Sequence, residues 1–403
     1  MDHSLGMPDP LRILVIVNLP WDRRLGAARV WIELADAWMS DGHHVEKFCL
    51  TDAFPKPASS NVRSIFRQLF FPSRAAAYVR ANADRFDVID CLIGTMPFQK
   101  SALNFRGLLV ARSVGLFRLY AEFLRKSRER WPDQPKGRFL GRIFHRLTSH
   151  HFRKNAETSI RVCDLICVPN DDEREALARD PSIRAPAFVQ PYGLNDDFFE
   201  AFVRAAAPAA KRLAAKKICF IGMWSLRKGS RDWPQIMETI WCAHPDAQFV
   251  FLGTMSSAET VRAELGFKSE PRITCLPTYA ANDLPLLLAD AALALFPTYV
   301  EGFGLAVLEQ LAAGLPTISY DVPGPREILE ALRERLLTPA GEPAAMAARA
   351  AEILAFPLTE YETLSAACVE IARPYRWKKF AAATITHYRE ALHSLGRENE
   401  ARR

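Results

Sequence analysis

Two carboxylates, Glu301 and Glu309, stand eight residues apart around a Gly-Phe-Gly turn in the stretch Pro297-Thr-Tyr-Val-Glu-Gly-Phe-Gly-Leu-Ala-Val-Leu-Glu-Gln-Leu-Ala-Ala-Gly-Leu-Pro316. The run predicts a helix over 303–313: Leu305, Leu308 and Ala312 fall at i, i+3 and i+7, Gly314 follows the last turn and Pro316 forbids continuation. Glu309, one turn after Leu305, lies at the margin of the inward stripe. Glu301 precedes the helix, and Gly302 and Gly304 leave its first turn without side chains, so an anion could approach the free N–H groups and the positive dipole end. A ligand with hydroxyls near Glu309, an anion at the helix start and a further group beside Glu301 has the order of a sugar nucleotide: ribose, diphosphate, sugar. The plain alternative is a tight glycine turn with an acidic residue before the helix and a solvated Glu309. On these residues alone both readings stand.

The elements that must hold these residues alternate between strand and helix. Residues 11–17 form a β-branched run, a loop containing Gly26 leads into a helix over 27–39, and Asp41-Gly42 ends it before a strand over 44–50, so the chain opens as a βαβ unit. Trp31 and Trp38, seven apart, read as one packed face of that helix. Strand-like runs follow at 86–92, 107–111, 164–168 and 187–190. The pattern lapses over 191–215, then resumes with strands over 217–222, 248–253, 273–276, 291–296 and 316–320. From Glu342 onward the chain is helical, ending in a helix over 377–395. The fold class is therefore α/β, with two doubly wound parallel-sheet domains. Residues 1–195 make the first, with a basic helical insertion, residues 196–375 the second, and 376–403 a closing helix. Sheets of this kind bind ligands outside the C-terminal ends of their strands, which predicts a site between the domains.

Composition narrows the class. At 403 residues, 49% of them apolar and 24% charged, the chain is an ordinary globular protein rather than a fibrous or disordered one. No apolar run approaches the roughly 18 residues of a membrane span, and Met1–Pro10 lack the basic-then-apolar order of a secretory leader, so the reading is a cytoplasmic protein. The eight cysteines show no zinc-ribbon pairing, and Cys91, Cys219 and Cys275 sit in strands as reduced core residues. Asp171-Asp-Glu-Arg-Glu175 reads as an acidic first helical turn rather than a metal cluster, His43 and His44 flank a strand start, and His145, His150 and His151, in the basic insertion, read as solvated side chains. The net charge of +6 is uneven: between Arg112 and Arg161 stand 13 Lys/Arg against four acids. Residues 61–80 hold four arginines, no acid and several large apolar side chains, a pattern that suits an anionic membrane surface better than a solvated face. No nucleic-acid motif accompanies them, so nucleic acid is not an expected partner.

The stretch from Glu301 to Glu309, followed by Ala312-Ala-Gly-Leu-Pro316, resembles the E-x7-E signature of the family 4 retaining glycosyltransferases of the GT-B fold. Ile221-Gly-Met-Trp-Ser-Leu-Arg-Lys-Gly229 resembles their glycine loop with its Lys-Gly pair, and Asp321-Val-Pro-Gly-Pro-Arg-Glu327 the loop after the next strand. Cys163-Asp-Leu-Ile-Cys-Val-Pro-Asn170 and Gln190-Pro-Tyr-Gly-Leu194 resemble the end of their N-terminal domain, and Arg376-Trp-Lys-Lys-Phe380 the helix that crosses back to it. The resemblance implies two Rossmann-like domains facing across a cleft, acceptor in the first and nucleoside-diphosphate sugar in the second. It implies that Lys228 contacts the donor diphosphate with Arg227 beside it, that Gly302, Phe303, Gly304 and Leu305 supply backbone N–H groups, that Glu309 binds the ribose, that Glu301 sits beside the transferred sugar as the catalytic residue, and that Gly26 faces the phosphates. A lysine and a helix dipole stabilise the leaving diphosphate, so neither a cofactor nor a metal is expected. The implied activity is transfer of a sugar, with retention, to a glycan or lipid-linked acceptor in cell-surface polysaccharide or glycolipid synthesis on the inner face of the membrane.

Two positions depart from the pattern. An arginine usually follows the glycine of the first C-domain strand, and here Met223 stands there. A histidine commonly precedes the glycine in a segment resembling Val110-Ala-Arg-Ser-Val-Gly-Leu116, and here it is Val114, leaving Arg112 or Ser113 as acceptor-side candidates. These departures keep two other readings open: a donor-binding scaffold with weak or absent turnover, and a sugar-nucleotide epimerase.

Overall fold

The computed structural model describes residues 9–132 and 139–401. Residues 1–8, on which most of the leader reading rests, and Lys136 and Arg138 of the basic stretch lie outside the described residues, as does the side chain of His145. Among the described residues no helix is long and apolar enough to cross a membrane.

Two compact units share the chain. The first comprises the residues up to Phe117, Trp131–Gln190 and the C-terminal helix from Trp377; the second comprises Pro191–Arg376 together with the short segment Arg118–Arg130. The first unit holds a parallel sheet of six strands, β1 (Arg12–Val17), β2 (His44–Cys49), β3 (Val88–Leu92), β4 (Leu108–Arg112), β5 (Leu165–Val168) and β6 (Ala187–Val189), in the order β2-β1-β3-β4-β5-β6. Ile13 through Val17 and the whole of β5 are buried, as expected of strands covered on both faces. The second unit repeats the plan with β7 (Lys217–Ile221), β8 (Gln248–Leu252), β9 (Ile273–Leu276), β10 (Leu293–Phe296), β11 (Thr317–Tyr320) and β12 (Leu337–Thr338), in the order β12-β11-β10-β7-β8-β9. β7 to β9 run outward to one side and β10 returns to the other side of β7, so the strand order reverses between β7 and β10. That reversal is the place where doubly wound sheets open a binding crevice.

The eleven strands read from sequence are present with ends within about two residues, the usual scatter of such boundaries. β12 has only two residues, too few to carry a period, and was not anticipated. The lapse over 191–215 contains two helices, Asp196–Ala205 and Ala209–Ala215, which belong to the second unit.

One buried charge organises the first unit. Asp90, wholly buried on β3, accepts hydrogen bonds from Arg112 Nε (3.0 Å) and Nη2 (2.6 Å), from Trp31 Nε1 (3.2 Å) and from the hydroxyl of Tyr388 on the C-terminal helix Trp377–Ala401. Arg112 donates further to Tyr388 Oη (2.9 Å) and to Gln190 Oε1. Trp38, on the same helix face as Trp31, donates Nε1 to Ala381 O (3.1 Å). The reading of Arg112 as an acceptor-side residue is therefore corrected. It sits at the end of β4 with 1% of its side chain exposed, and its donors are committed to the core pair that ties the C-terminal helix to the sheet.

Removing one member of such a pair leaves a buried charge uncompensated, at a cost of about 3–5 kcal/mol. Arg112→Met is expected to lower the urea midpoint by that equivalent and Tyr388→Phe by about 1–3 kcal/mol, the cost of one unsatisfied buried group. An Arg112→Met midpoint equal to wild type would contradict this role.

Candidate functional site

The side chains predicted to do chemistry gather at the reversal in the second sheet. The loop after β7 carries Arg227 and Lys228, and the loop after β10 carries Glu301. Contact between the loops depends on a missing side chain: Gly229 has φ +76°, and a Cβ there would lie 2.2 Å from Pro297 O, so only glycine admits the approach. The approach is stitched by Tyr299 N–H donating to Arg227 O (2.8 Å) and by Arg227 Nη1 donating to Val300 O (3.0 Å). Within the first loop, Ser225 O accepts from Lys228 N–H (3.0 Å) and Ser230 N–H (3.1 Å), which closes the turn.

These bonds bring two cations onto one carboxylate. Lys228 Nζ pairs directly with Glu301 Oε2, and Arg227 Nη1 lies 3.8 Å from the same oxygen. Lys228 also lies 4.4 Å from the ring centroid of Phe296, at the end of β10. The three charged side chains are 11–23% exposed, so they reach solvent without being freely hydrated. Burial alone would raise the Glu301 carboxyl, but Lys228 and Arg227, with the N–H of Gly302, hold it below its ordinary value. Burial pushes the Lys228 ammonium down, and the attraction of Glu301 only partly restores it.

The helix beyond is shorter than predicted, Leu305–Ala312, because Gly304 at φ +99° is its N-cap and no side chain caps it. Gly304 also packs tightly, a Cβ there meeting Pro325 Cγ at 3.3 Å. Gly324, at φ +85°, presses so close that its Cβ would stand 2.4 Å from Phe303 O, and the loop after β11 thus braces the helix start. Phe303 is buried between Tyr192 (5.0 Å) and Tyr375 (5.9 Å), so any ligand contact it makes comes from its backbone. Leu305 is half-buried, and Glu309 is 4% exposed, inside the stripe rather than in solvent. Met223, at the position where the resemblance calls for arginine, is 50% exposed.

The candidates in the first unit behave differently. Ser113 Oγ donates to the buried Glu173 (2.5 Å) and accepts from Gly115 N–H (3.0 Å), while Glu173 also accepts from Leu116 N–H (3.1 Å). Ser113 thereby shapes the loop around Val114. Asn170 caps the helix Asp171–Ala178 by accepting from Glu173 N–H (2.8 Å), so the acidic triplet is a first turn. Gly26 opens the helix Gly26–Ser40; a Cβ there would meet nothing within 4 Å, so packing within the unit does not demand glycine.

The sequence reading did not identify a second cluster beside Glu301. Asp232 accepts hydrogen bonds from the hydroxyls of Tyr299 (2.5 Å) and Tyr320 (2.8 Å), and burial raises its carboxyl above the ordinary value despite them. Phe123 packs on Tyr299 (5.7 Å between centroids) and the Arg130 guanidinium lies 5.7 Å from the same ring. Nothing in the periodicity of 118–130 signals this neighbourhood, since those residues precede the second sheet by nearly a hundred positions.

Residues 215–355 match the family described as glycosyl transferases group 1. The chain is 23% identical over 186 residues to the processive diacylglycerol alpha-glucosyltransferase of Acholeplasma laidlawii, covering 45% of this chain and 55% of that one. It spans about half the length of the curated relatives it matches. The solved sucrose-phosphate synthase of Thermosynechococcus elongatus superposes over 95% of this chain and 100% of its own with a TM-score of 0.71 at 19% identity. An Anabaena protein solved in complex with UDP and glucose covers the same shares with a TM-score of 0.65 at 16% identity. At these identities the likeness establishes the fold, two Rossmann-like α/β domains of the GT-B class.

The paired charges give the site a defined pH response. Glu301 titrates below its unfolded value, so its stabilisation is complete above the unfolded carboxylate value and lost as pH falls through the depressed one. The difference in melting temperature between wild type and Glu301→Gln is expected to be widest near neutrality and to shrink below about pH 4. A difference independent of pH would count against the pair.

Proposed function

We propose that this chain is a glycosyltransferase that moves a sugar from a nucleoside-diphosphate donor to a glycan or lipid-linked acceptor, with retention of configuration. The observation that carries the reading is the meeting of Lys228, Arg227 and Glu301 at the strand-order reversal, beside a helix start without a side-chain cap, within the segment that matches the glycosyl transferases group 1. The crystallised Anabaena neighbour with UDP and glucose supports a nucleotide-sugar donor, and the diacylglycerol glucosyltransferase among the relatives supports a lipid acceptor in glycolipid synthesis, with cell-surface polysaccharide the other setting of this proposal.

In this reading the diphosphate lies between Lys228, Arg227 and the N–H groups of Gly302–Leu305. Glu309 accepts hydrogen bonds from the ribose hydroxyls. The bond from anomeric carbon to β-phosphate oxygen breaks with its electron pair left on the diphosphate. The acceptor oxygen bonds to the same face of the carbon, and its proton passes to the departing phosphate oxygen. Two cations and a helix dipole meet the charge that develops, which supplies the role a metal serves elsewhere. Glu301 holds Lys228 before the donor arrives and sits beside the sugar afterwards. Gly26 is assigned to the donor phosphates, and the loop around Ser113 and Val114 to the acceptor.

The helix Asn61–Asn82 supplies the seat on the cytoplasmic face of an anionic membrane. Val62, Phe66 and Phe70 recur every fourth residue and are 54%, 45% and 58% exposed, a continuous apolar stripe. Arg63 and Arg67 run beside it, and Arg74 follows two turns on. Each basic residue near such a surface contributes about 1 kcal/mol.

Calorimetry with UDP, GDP and ADP is expected to show binding of at least one, and Lys228→Ala to cut transfer by about 10²–10³. A wild type that binds none of them overturns the donor assignment, and one that binds but never transfers overturns the enzyme. Phe66→Glu with Phe70→Glu is expected to abolish co-sedimentation with phosphatidylglycerol vesicles; equal sedimentation with phosphatidylcholine would refute the membrane seat.

A further inference from the structure

The helix Phe117–Arg130 follows β4 in sequence, yet its residues from Arg118 cluster with the second unit. It docks through one stripe. Tyr120, Phe123, Ser127 and Arg130 fall at i, i+3, i+7 and i+10, the spacing of a single helical face. The opposite face carries the exposed ion pairs Arg125–Glu129 and Lys126–Glu122. Along the docked stripe, Arg130 donates to Gly341 O (2.6 Å), a contact made possible because Gly341, at φ +82°, has no Cβ to meet the guanidinium. Phe123 packs on Tyr299. Tyr120 lies under Arg227, its ring centroid 5.4 Å from the guanidinium carbon.

Arg227 is therefore held on three sides: by the Tyr120 ring, by Val300 O at 3.0 Å and by the Glu301 carboxylate at 3.8 Å. A guanidinium seated over a ring, with Nη1 donating to Val300 O, still offers its Nε–H and Nη2–H edge for a bidentate bond to phosphate, where a lysine would offer a point charge. Met223 contributes no charge at the glycine end of the same loop, so a diphosphate seated at Lys228 meets Arg227 as its second cation.

We infer that Tyr120 is a positioning residue for diphosphate binding: it fixes the Arg227 guanidinium, and through it the helix Phe117–Arg130 is part of the donor site. The inference rests on the donor reading above and adds to it a residue from outside the matched family segment. A positioned cation acts on phosphate and leaves the base and ribose contacts untouched, so Tyr120 affects recognition of the diphosphate and not of the nucleoside.

The test titrates wild type, Tyr120→Leu, Tyr120→Phe, Arg227→Met and the Tyr120→Leu/Arg227→Met double variant with UDP, GDP and ADP and with the parent nucleosides. A cation–π contact between about 0.5 and 2 kcal/mol corresponds to a roughly 2- to 30-fold change in Kd. Tyr120→Leu is expected to weaken diphosphate binding within that range while nucleoside binding stays as in wild type. Tyr120→Phe, which keeps the ring, is expected to restore it. The leucine substitution is expected to add nothing once Arg227 is methionine, as two residues acting through one contact require. Phe123→Leu, which loosens the same helix without touching Arg227, is the control for a merely structural effect, and Tyr120→Met replaces the leucine variant if that one does not fold. Unchanged diphosphate affinity in Tyr120→Leu, an equal loss for nucleoside and diphosphate, or full additivity with Arg227→Met overturns the inference alone. Absence of diphosphate binding by the wild type overturns the donor reading and this inference together.

Discussion

Less than the width of a methyl group separates the backbone of the loop after β7 from that of the loop after β10. Gly229 lies against Pro297 O so closely that any side chain would force the loops apart. With them would go the bond from Tyr299 N–H to Arg227 O, the seat of Arg227 on Val300 O, and the meeting of Lys228 with Glu301. The close approach sits at the strand-order reversal, where neighbouring strands send their following loops in diverging directions. The topology opens the crevice; the glycine draws its two lips together. The glycines on the far side, Gly304 and Gly324, serve the same end by letting backbone pack on backbone around the helix start.

The Asp90–Arg112 and Lys228–Glu301 pairs illustrate opposite uses of the same chemistry. Asp90 and Arg112 are shut away from solvent and tied into a network with Trp31, Gln190 and Tyr388, an arrangement whose disruption strands a charge and which is therefore kept static. Lys228 and Glu301 retain some access to solvent, and their titration values are pulled away from ordinary ones by burial and by each other. A pair of that kind can exchange one partner for another of like charge at modest cost. In the proposed reading a diphosphate is such a partner for Lys228.

Much of the fold was legible because strands buried on both faces must be long apolar runs, and helices must stop at residues such as Asp41-Gly42 and Gly314. The neighbourhood of Glu301 and Lys228 was legible for a further reason: glycine and lysine in one loop and a carboxylate before a bare helix start are chemistry written in adjacent residues. Arg112 was misread because its type and position suited a ligand, whereas its surroundings depend on Asp90 and Tyr388, the latter 276 residues away. The Asp232, Tyr299 and Tyr320 cluster and the docking of Tyr120 were invisible for the same reason. Hydrophobic period reports which face of a helix is covered, and says nothing about which distant segment covers it. The helix start itself was misplaced by two residues, since a left-handed glycine N-cap looks, in sequence, like part of the first turn of the helix it precedes.

The path of the chain carries a consequence for how such a protein can be divided. The backbone passes from one unit to the other after Phe117, again after Arg130, again after Gln190 and again after Arg376. A recombination junction near residue 190, between β6 and β7, would transplant the loops after β7 and β10 and leave behind the segment that places Tyr120 beneath Arg227. Chimaeras made at that junction would inherit a second sheet matched to the wrong helix. Specificity exchanged between relatives of this kind would therefore travel as two pieces of chain rather than one, and a thirteen-residue graft of Arg118–Arg130 would have to accompany the larger segment.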